Sequence, residues 1–318
     1  MITPIDGNYG LDGRWQPVSG MKNHKFFVYS AYYDIRDVFK PSVRVIGVTL
    51  TKESDKVMCR LYNAKREPKS NISLQQHDQP FVDVSANIII MQEHYNKTYH
   101  ACYVLCPLPG HKPYNSKENF IPDFVSIIPI SSPNTNITNI LPVINSKNGG
   151  TGTYKVNKTD IGVCVKPLHS YYNHVVDLIE FIELNMILGV TKFIFYNETM
   201  SPDVSCVLNY YKNIHKSVSV MAWNLGEYLN SHEIQNRAVL ASWNDCVYRN
   251  MNEFNYLMTI DIDEYIIPHR HDNIQEMITH LDSMYFKLYD SLKWNNPSQR
   301  SCYNFMNAFF YLDYGKCC

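Results

Sequence analysis

The sequence predicts an α/β protein, a parallel sheet with helices on its faces, preceded by a mainly antiparallel β region. Three observations lead there. Between Phe26 and Ile130, six runs rich in β-branched and aromatic residues follow one another without a helical period. From Ile161 onward, short apolar runs alternate with helical segments, as expected of strands buried on both faces by crossover helices. Between the two stretches, residues 131–160 (SSPNTNITNILPVINSKNGGTGTYKVNKTD) lose apolar periodicity and read as a linker or long loop. The expected organisation is therefore a β domain over 1–130, a connection over 131–160 and an α/β domain over 161–318.

In the first region the expected strands are Phe26–Tyr33, Val43–Leu50, Val57–Tyr62, Phe81–Met91, Tyr99–Cys106 and Phe124–Ile130. In the second, Ile161–Val165 is a strand stopped by Pro167. Asn173–Leu188 reads as an amphipathic helix with Val175, Leu178, Ile179, Ile182 and Met186 on its apolar face and Gly189 as its terminal cap. Lys192–Tyr196 is the next strand. Ser201-Pro202-Asp203 opens a second helix with a capping residue and Pro at the first position. Val218–Trp223 is the third strand, Ser231–Arg249 a long helix and Tyr256–Ile260 the fourth strand. A short helix, Ile274–Leu281, and a strand-like run, Phe305–Leu312, follow.

The composition is that of a folded protein, 45% hydrophobic and 19% charged over 318 residues, enough for two cores. A formal net charge of −1 and the lack of a basic stripe argue against a nucleic-acid partner. The 24 tyrosines can stack on sugars, but they also fill strands and interfaces. Nine dispersed cysteines suit disulfides in an oxidising compartment better than a metal cluster. Cys102 and Cys106, with His100 and His111 nearby, would make a zinc site only with a second cysteine pair at ligand spacing, and none is present. Five Asn-x-Ser/Thr triplets, at Asn71, Asn96, Asn136, Asn157 and Asn197, permit a lumenal location. The start, MITPIDGNYG, is not a signal peptide, and no apolar run approaches the ~20 residues of a membrane span. Any membrane anchor is expected upstream of Met1.

The chemistry concentrates where the fourth strand ends, at Asp261-Ile262-Asp263-Glu264. Ligands of open parallel sheets lie beyond the carboxyl ends of the strands, so these carboxylates sit at the expected mouth of a site. Such a cluster repels itself unless a cation or hydrogen-bond donors compensate it. Asp-x-Asp lets two hard oxygen ligands share one Mn2+ or Mg2+ ion, which in turn neutralises a diphosphate leaving group. A bare Asp-x-Asp is equally an acidic turn in solvent; the buried strand before it favours the functional reading. No G-x-G-x-x-G, P-loop or Gly-x-Ser-x-Gly pattern occurs in this half, which argues against dinucleotide oxidoreductases, P-loop NTPases and serine hydrolases.

These residues resemble glycosyltransferase family 92. The resemblance extends over Trp15-Gln16-Pro17-Val18, Phe27–Asp34 (FVYSAYYD), Cys164-Val165-Lys166-Pro167-Leu168 and Leu178–Tyr196, then Gln235, Asn244-Asp245-Cys246, Arg249 and Asp261–Pro268. It implies a GT-A (Rossmann-like) catalytic domain, manganese, UDP-galactose as donor, transfer with inversion to a glycan acceptor such as an N-glycan, and a membrane-anchored place in the Golgi lumen. It also implies roles: Asp263 as metal ligand, Asp261 on metal or ribose, and Lys166, Asn197, Gln235 and Arg237 around the nucleotide sugar. Glu198 would hold base or ribose, Glu264 would orient its neighbours, and His269 and Arg270 would face phosphate. For Lys166 the alternative is a solvated loop lysine, and for Arg237 a surface salt bridge. Only 55 residues follow Asp263. Against the family this implies a truncated carboxyl-terminal part, without the acceptor half, a third metal ligand or the catalytic base. The carboxylates that do follow, Asp272, Glu276 and Asp282, read as the solvated face of the short helix.

Two other functions compete with a metal-dependent glycosyltransferase. One is a lumenal protein that binds a nucleotide sugar or glycan without turnover. The other is a carbohydrate-binding module, suggested by the tyrosine-rich β region. Metal-dependent UDP binding would exclude the module, and sugar transfer would exclude the non-catalytic binder.

Overall fold

The computed structural model describes residues 13–21, 25–37, 39–52, 56–63, 80–92, 95–110, 119–134, 136–145, 161–291 and 302–306. Nine strands form the amino-terminal sheet: β1 (Gln16–Pro17), β2 (Phe27–Asp34), β3 (Ser42–Leu50), β4 (Val57–Tyr62), β5 (Phe81–Ser85), β6 (Asn87–Ile90), β7 (Tyr99–Pro107), β8 (Phe124–Pro129) and β9 (Leu141–Ile144). Their order is β5-β4-β8-β9-β2-β3-β7-β6, with β1 on β2, and every pairing is antiparallel except β2 with β9. The run expected as one strand over Phe81–Met91 breaks at Ala86. Its first half pairs with β4 and its second with β7. These lie towards opposite ends of the order, so the sheet curls until one segment serves both ends, and that segment must bend. The enclosed core holds Val28, Val43, Val45, Val57, Leu61, Val104, Val125 and Ile127.

A disulfide, Cys59–Cys106, crosses this interior from β4 to β7. It removes Cys106 from the imagined zinc set, leaves Cys102 a buried thiol, and His111 lies outside the described residues. The expected linker also contains structure. Leu141 and Val143 are buried in β9, which the surrounding Asn and Ser hid from composition. Asn139 just before it is buried because its amide both accepts from and donates to the Ile127 backbone.

The second sheet holds β10 (Ile161–Val165), β11 (Lys192–Asn197), β12 (Val218–Ala222) and β13 (Tyr256–Ile260). All pairs are parallel, in the order β12-β11-β10-β13. Helices α1 (Val175–Ile187), α2 (Pro202–Tyr210) and α4 (Ile274–Ser291) bury Leu178, Phe181, Ile182, Val204, Leu208, Ile274 and Ile278 against one face. Within α1 the buried stripe is Leu178, Phe181, Ile182 and Asn185, while Ile179 is exposed. Phe181 sets that rotation by packing on Phe193 and Tyr265, and Asn185 donates its amide N–H to the Phe181 carbonyl, while its Oδ1 has no hydrogen-bond partner among the described residues. Gly189, at φ +98°, ends the helix in a conformation that only glycine adopts without strain. Ser201 caps α2 by accepting from the Val204 amide.

The long helix expected over Ser231–Arg249 is shorter. Asn236, Arg237 and Ala238 have φ of 41°, 54° and 59°, so the chain makes a left-handed turn before α3 (Val239–Asn250) begins. Gln235 and Arg237 therefore lie outside the helix. At the other end α4 runs well past Leu281, and Asp282 accepts from the hydroxyls of Tyr256 and Tyr303 instead of facing only solvent. Phe305 and Met306 are not in a strand, and the rest of the Phe305–Leu312 run lies outside the described residues. No helix among the described residues is long and apolar enough to cross a membrane.

The amino-terminal sheet covers the other face of the parallel sheet together with α3. Trp15, Phe27, Tyr29, Tyr32, Ile46 and Val48 share one core with Ile194, Tyr196, Trp223, Ala241, Cys246 and Tyr248. A second disulfide, Cys164–Cys246, fastens β10 to α3. Beside it, Asp245 is fully buried. It accepts from Tyr32 Oη (2.5 Å) on β2, Tyr196 Oη (2.7 Å) on β11 and Arg249 Nε and Nη2 (both 3.0 Å) on α3. One carboxylate thus joins both sheets and the helix between them. Burial, with the Asp245 charge adding to it, holds both tyrosine hydroxyls well above their ordinary pKa, so they remain donors.

Removing one member of a buried ion pair leaves the other uncompensated, at roughly 3–5 kcal/mol, against roughly 1–2 kcal/mol for one lost hydroxyl. Urea unfolding at neutral pH should therefore rank Asp245→Ala far below Tyr196→Phe in stability; similar midpoints would contradict the buried network. A pH dependence follows from Asp34 at the end of β2. Its burial alone would raise its pKa, but hydrogen bonds and charge from Arg36 and a hydrogen bond from Arg44 outweigh that and hold it at about 2. An Asp depressed in the folded state stabilises fully above its unfolded pKa of roughly 4 and loses that contribution as pH falls towards 2. Asp34→Asn should flatten the stability profile across that window; an unchanged profile would show that the pair contributes nothing.

Candidate functional site at the carboxyl ends of the parallel strands

Two strands set the centre of the site. In the order β12-β11-β10-β13, the chain turns one way from β10 to β11 and the other way to reach β13. The crevice of an open parallel sheet opens at such a reversal. Lys166 follows β10 and Asp261 follows β13, and the strands are direct neighbours in register from Ile161–Tyr256 to Val165–Ile260. Their side chains meet there: Lys166 Nζ donates to Asp261 Oδ2. The lysine lies just past the strand and is 42% exposed, but its ammonium is ion-paired.

Past Asp261 the chain turns, with the Glu264 amide donating to the Asp261 carbonyl and Glu264 Oε2 accepting from the Asp261 amide at 3.1 Å. Ile262 anchors the turn by burying its side chain among Ile260, Ile274 and Ile278. Asp263 is thereby left exposed. Its charge reaches Tyr172 and Tyr265: burial first, then Asp177 and Asp263, push the Tyr172 hydroxyl up to about 12. Asp261 and Asp263 therefore flank Ile262 with different neighbours, Asp261 on the lysine side and Asp263 towards the start of α1.

The other wall lies where β11 ends. Residues Leu168 and Tyr172 bridge to Asn197 and Met200, so the segment after β10 is laid along the segment after β11. Asn197 Oδ1 is covered and has no hydrogen-bond partner among the described residues. Glu198, with only 7% of its side chain exposed, pairs through Oε2 with Arg237 Nε at 3.3 Å. Its Oε1 lies so close to Gly226 that a Cβ there would collide with it unless the Glu198 side chain moved. Burial raises the Glu198 pKa, and Arg237 and the Gly226 amide oppose the shift. His169, an exposed residue three positions past Lys166, feels the charge of both Lys166 and Arg237. Partial desolvation, Arg237 and Lys166 lower its pKa, which keeps it neutral.

Arg237 is thus not a surface salt bridge; its partner is buried and its backbone is constrained. Trp223 Nε1 donates to the Arg237 carbonyl at 2.8 Å, and Tyr99 pairs with Ile234 just upstream of the left-handed turn. Trp15 and Tyr29 pack on Trp223. The amino-terminal sheet therefore fixes a residue of the site through one intermediate tryptophan. Three successive non-glycine residues at positive φ cost roughly 1–2 kcal/mol each, strain of the kind that collects at functional sites.

Of the residues singled out from sequence, Lys166 and Asp261 come together, as do Arg237 and Glu198, with Asn197 beside them. Gln235 precedes the turn, and no hydrogen bond among the described residues joins its side chain to the site. His269 and Arg270 are exposed in the loop after Pro268. Sequence reasoning missed His169, Trp223 and Gly226. Only His169 carried a signal, its place three residues past Lys166 at a strand end. Among the described residues no group of three or more His, Cys, Asp or Glu could by itself hold a metal ion. The carboxylates of Asp261 and Asp263 are hard oxygen donors, the ligand type that Mg2+ and Mn2+ take. Of the tyrosines of the β region, which motivated a carbohydrate-binding module, Tyr29 and Tyr32 are core residues and Tyr95 is exposed.

No curated protein sequence matches the chain. Residues 159–313 match the family model of glycosyltransferase family 92. That span contains the whole parallel sheet, its four helices and every residue of the site. The match supports membership of glycosyltransferase family 92 for the part of the chain that carries the site.

Proposed function

We propose that the protein transfers a hexose, galactose from UDP-galactose, to a glycan acceptor of the N-glycan class, with inversion and with Mn2+ or Mg2+. Family membership supports glycosyltransferase chemistry. The observation that carries the finer reading is the meeting of Lys166 and Asp261 at the reversal point of the parallel sheet, with Asn197 Oδ1 unpartnered nearby. The strand order and strand-end site support a GT-A type of donor-binding fold. Asp261 and Asp263 would hold the ion, whose role is to neutralise the departing diphosphate. Lys166 and Arg237 add cations at the same strand ends, where they act on charge that grows as the bond to UDP breaks. Asn197 and Glu198 offer acceptors for nucleoside hydroxyl or N–H groups. The Glu198 ion pair, the Trp223 hydrogen bond and the left-handed turn keep Arg237 in place. The two disulfides and the family suit a secretory-pathway lumen, and within it we propose the Golgi.

Calorimetry with UDP should show binding in Mn2+ that a chelator abolishes, and labelled UDP-galactose should transfer to a fucosylated N-glycan. Equal UDP affinity with and without the ion would refute the metal role. Asp263→Asn should weaken Mn2+-dependent UDP binding by on the order of tenfold or more. Its unfolding midpoint should hardly move, because the side chain is exposed and no hydrogen bond among the described residues holds it. A large loss of stability would make Asp263 structural.

A further inference from the structure

We infer that Lys166 makes divalent ion and nucleoside diphosphate bind cooperatively, by occupying Asp261 until a diphosphate gives it another partner. The inference rests on the donor-site reading above and adds a regulatory role for one residue. Lys166 Nζ and Asp261 Oδ2 are in direct contact, and both side chains are partly covered, at 42% and 27% exposure. An ion taking Asp261 as ligand must approach that ammonium or displace it, and two cations on one carboxylate repel. A diphosphate arriving alone meets the opposite obstacle, the carboxylates of Asp261, Asp263 and Glu264 within one turn. Arriving together, each removes the other's difficulty. The ion takes the carboxylates and Lys166 turns to phosphate oxygens, three donors on a flexible stem. The backbone need not move. Lys166 follows its strand with four rotatable side-chain bonds, while the Glu264 cap and buried Ile262 keep Asp261 in place.

Partly exposed ion pairs change affinities by factors of several, and linkage makes the coupling reciprocal. Lys166→Met keeps the stem and removes the charge. Mn2+ alone, followed by the electron paramagnetic resonance signal of the free ion, should bind this variant about three- to tenfold more tightly than the parent. The gain in UDP affinity on adding Mn2+ should shrink by a similar factor. Lys166→Arg should retain the parent's weak binding of the ion alone, and matching circular dichroism melts of all three proteins establish that the fold is intact. Equal binding of Mn2+ alone by parent and Lys166→Met would overturn the inference and leave the donor site standing, provided parent UDP binding still requires the ion. UDP binding that ignores Mn2+ in the parent would overturn both.

Discussion

The carboxylate of Asp245 is the point on which the architecture turns. It is buried without access to water, and four donors from three elements converge on it. A charge in such a place is tolerated only when every oxygen is satisfied, so the relative positions of β2, β11 and α3 are fixed together. The Cys164–Cys246 disulfide adjoins it in sequence and adds a covalent tie from α3 to β10. The aromatic group Trp15, Tyr29, Tyr196 and Trp223 fills the space around it. Together they make the face of the parallel sheet opposite α1 a place of specific contact between two differently built halves.

That arrangement reaches the site by a short path. Trp15 and Tyr29 support Trp223, Trp223 holds the Arg237 carbonyl, and Arg237 pairs with Glu198. Lys166 and Asp261 are instead positioned by adjacent, directly paired strands. The site thus has one wall set by the parallel sheet alone and another that depends on the amino-terminal sheet.

Much of this was legible in the sequence. The four parallel strands announce themselves as apolar runs with polar borders, and the strand before Asp261 was read to its observed ends. Ser201-Pro202 and Gly189 carry their own conformational preferences, so the helix ends they mark were also readable. What failed were features decided at a distance. The left-handed turn at 236–238 consists of ordinary residues, and it exists because Tyr99 and Trp223 grip the chain on either side. The same holds for β9, whose four residues become a strand by fitting between β2 and β8. Arg237 looked like a solvent-facing cation because its buried partner is 39 residues away on another strand. Two strand-end residues could be paired from a general rule about parallel sheets; a pair mediated by a turn could not.

The shared core also bears on what counts as a unit of inheritance. The family match begins at residue 159, yet the apolar surface of that half continues through Ile194, Tyr196, Trp223 and Leu225 into side chains that precede it by more than a hundred positions. Taken alone, the matched half would present these residues, and the Asp245–Arg249 pair, to water. A recombination event that carried the parallel sheet into a new gene would need to carry β2, β3 and β7 with it, or supply another apolar surface of the same shape. The stretch that sequence comparison recognises as a module is, in its packing, only part of one.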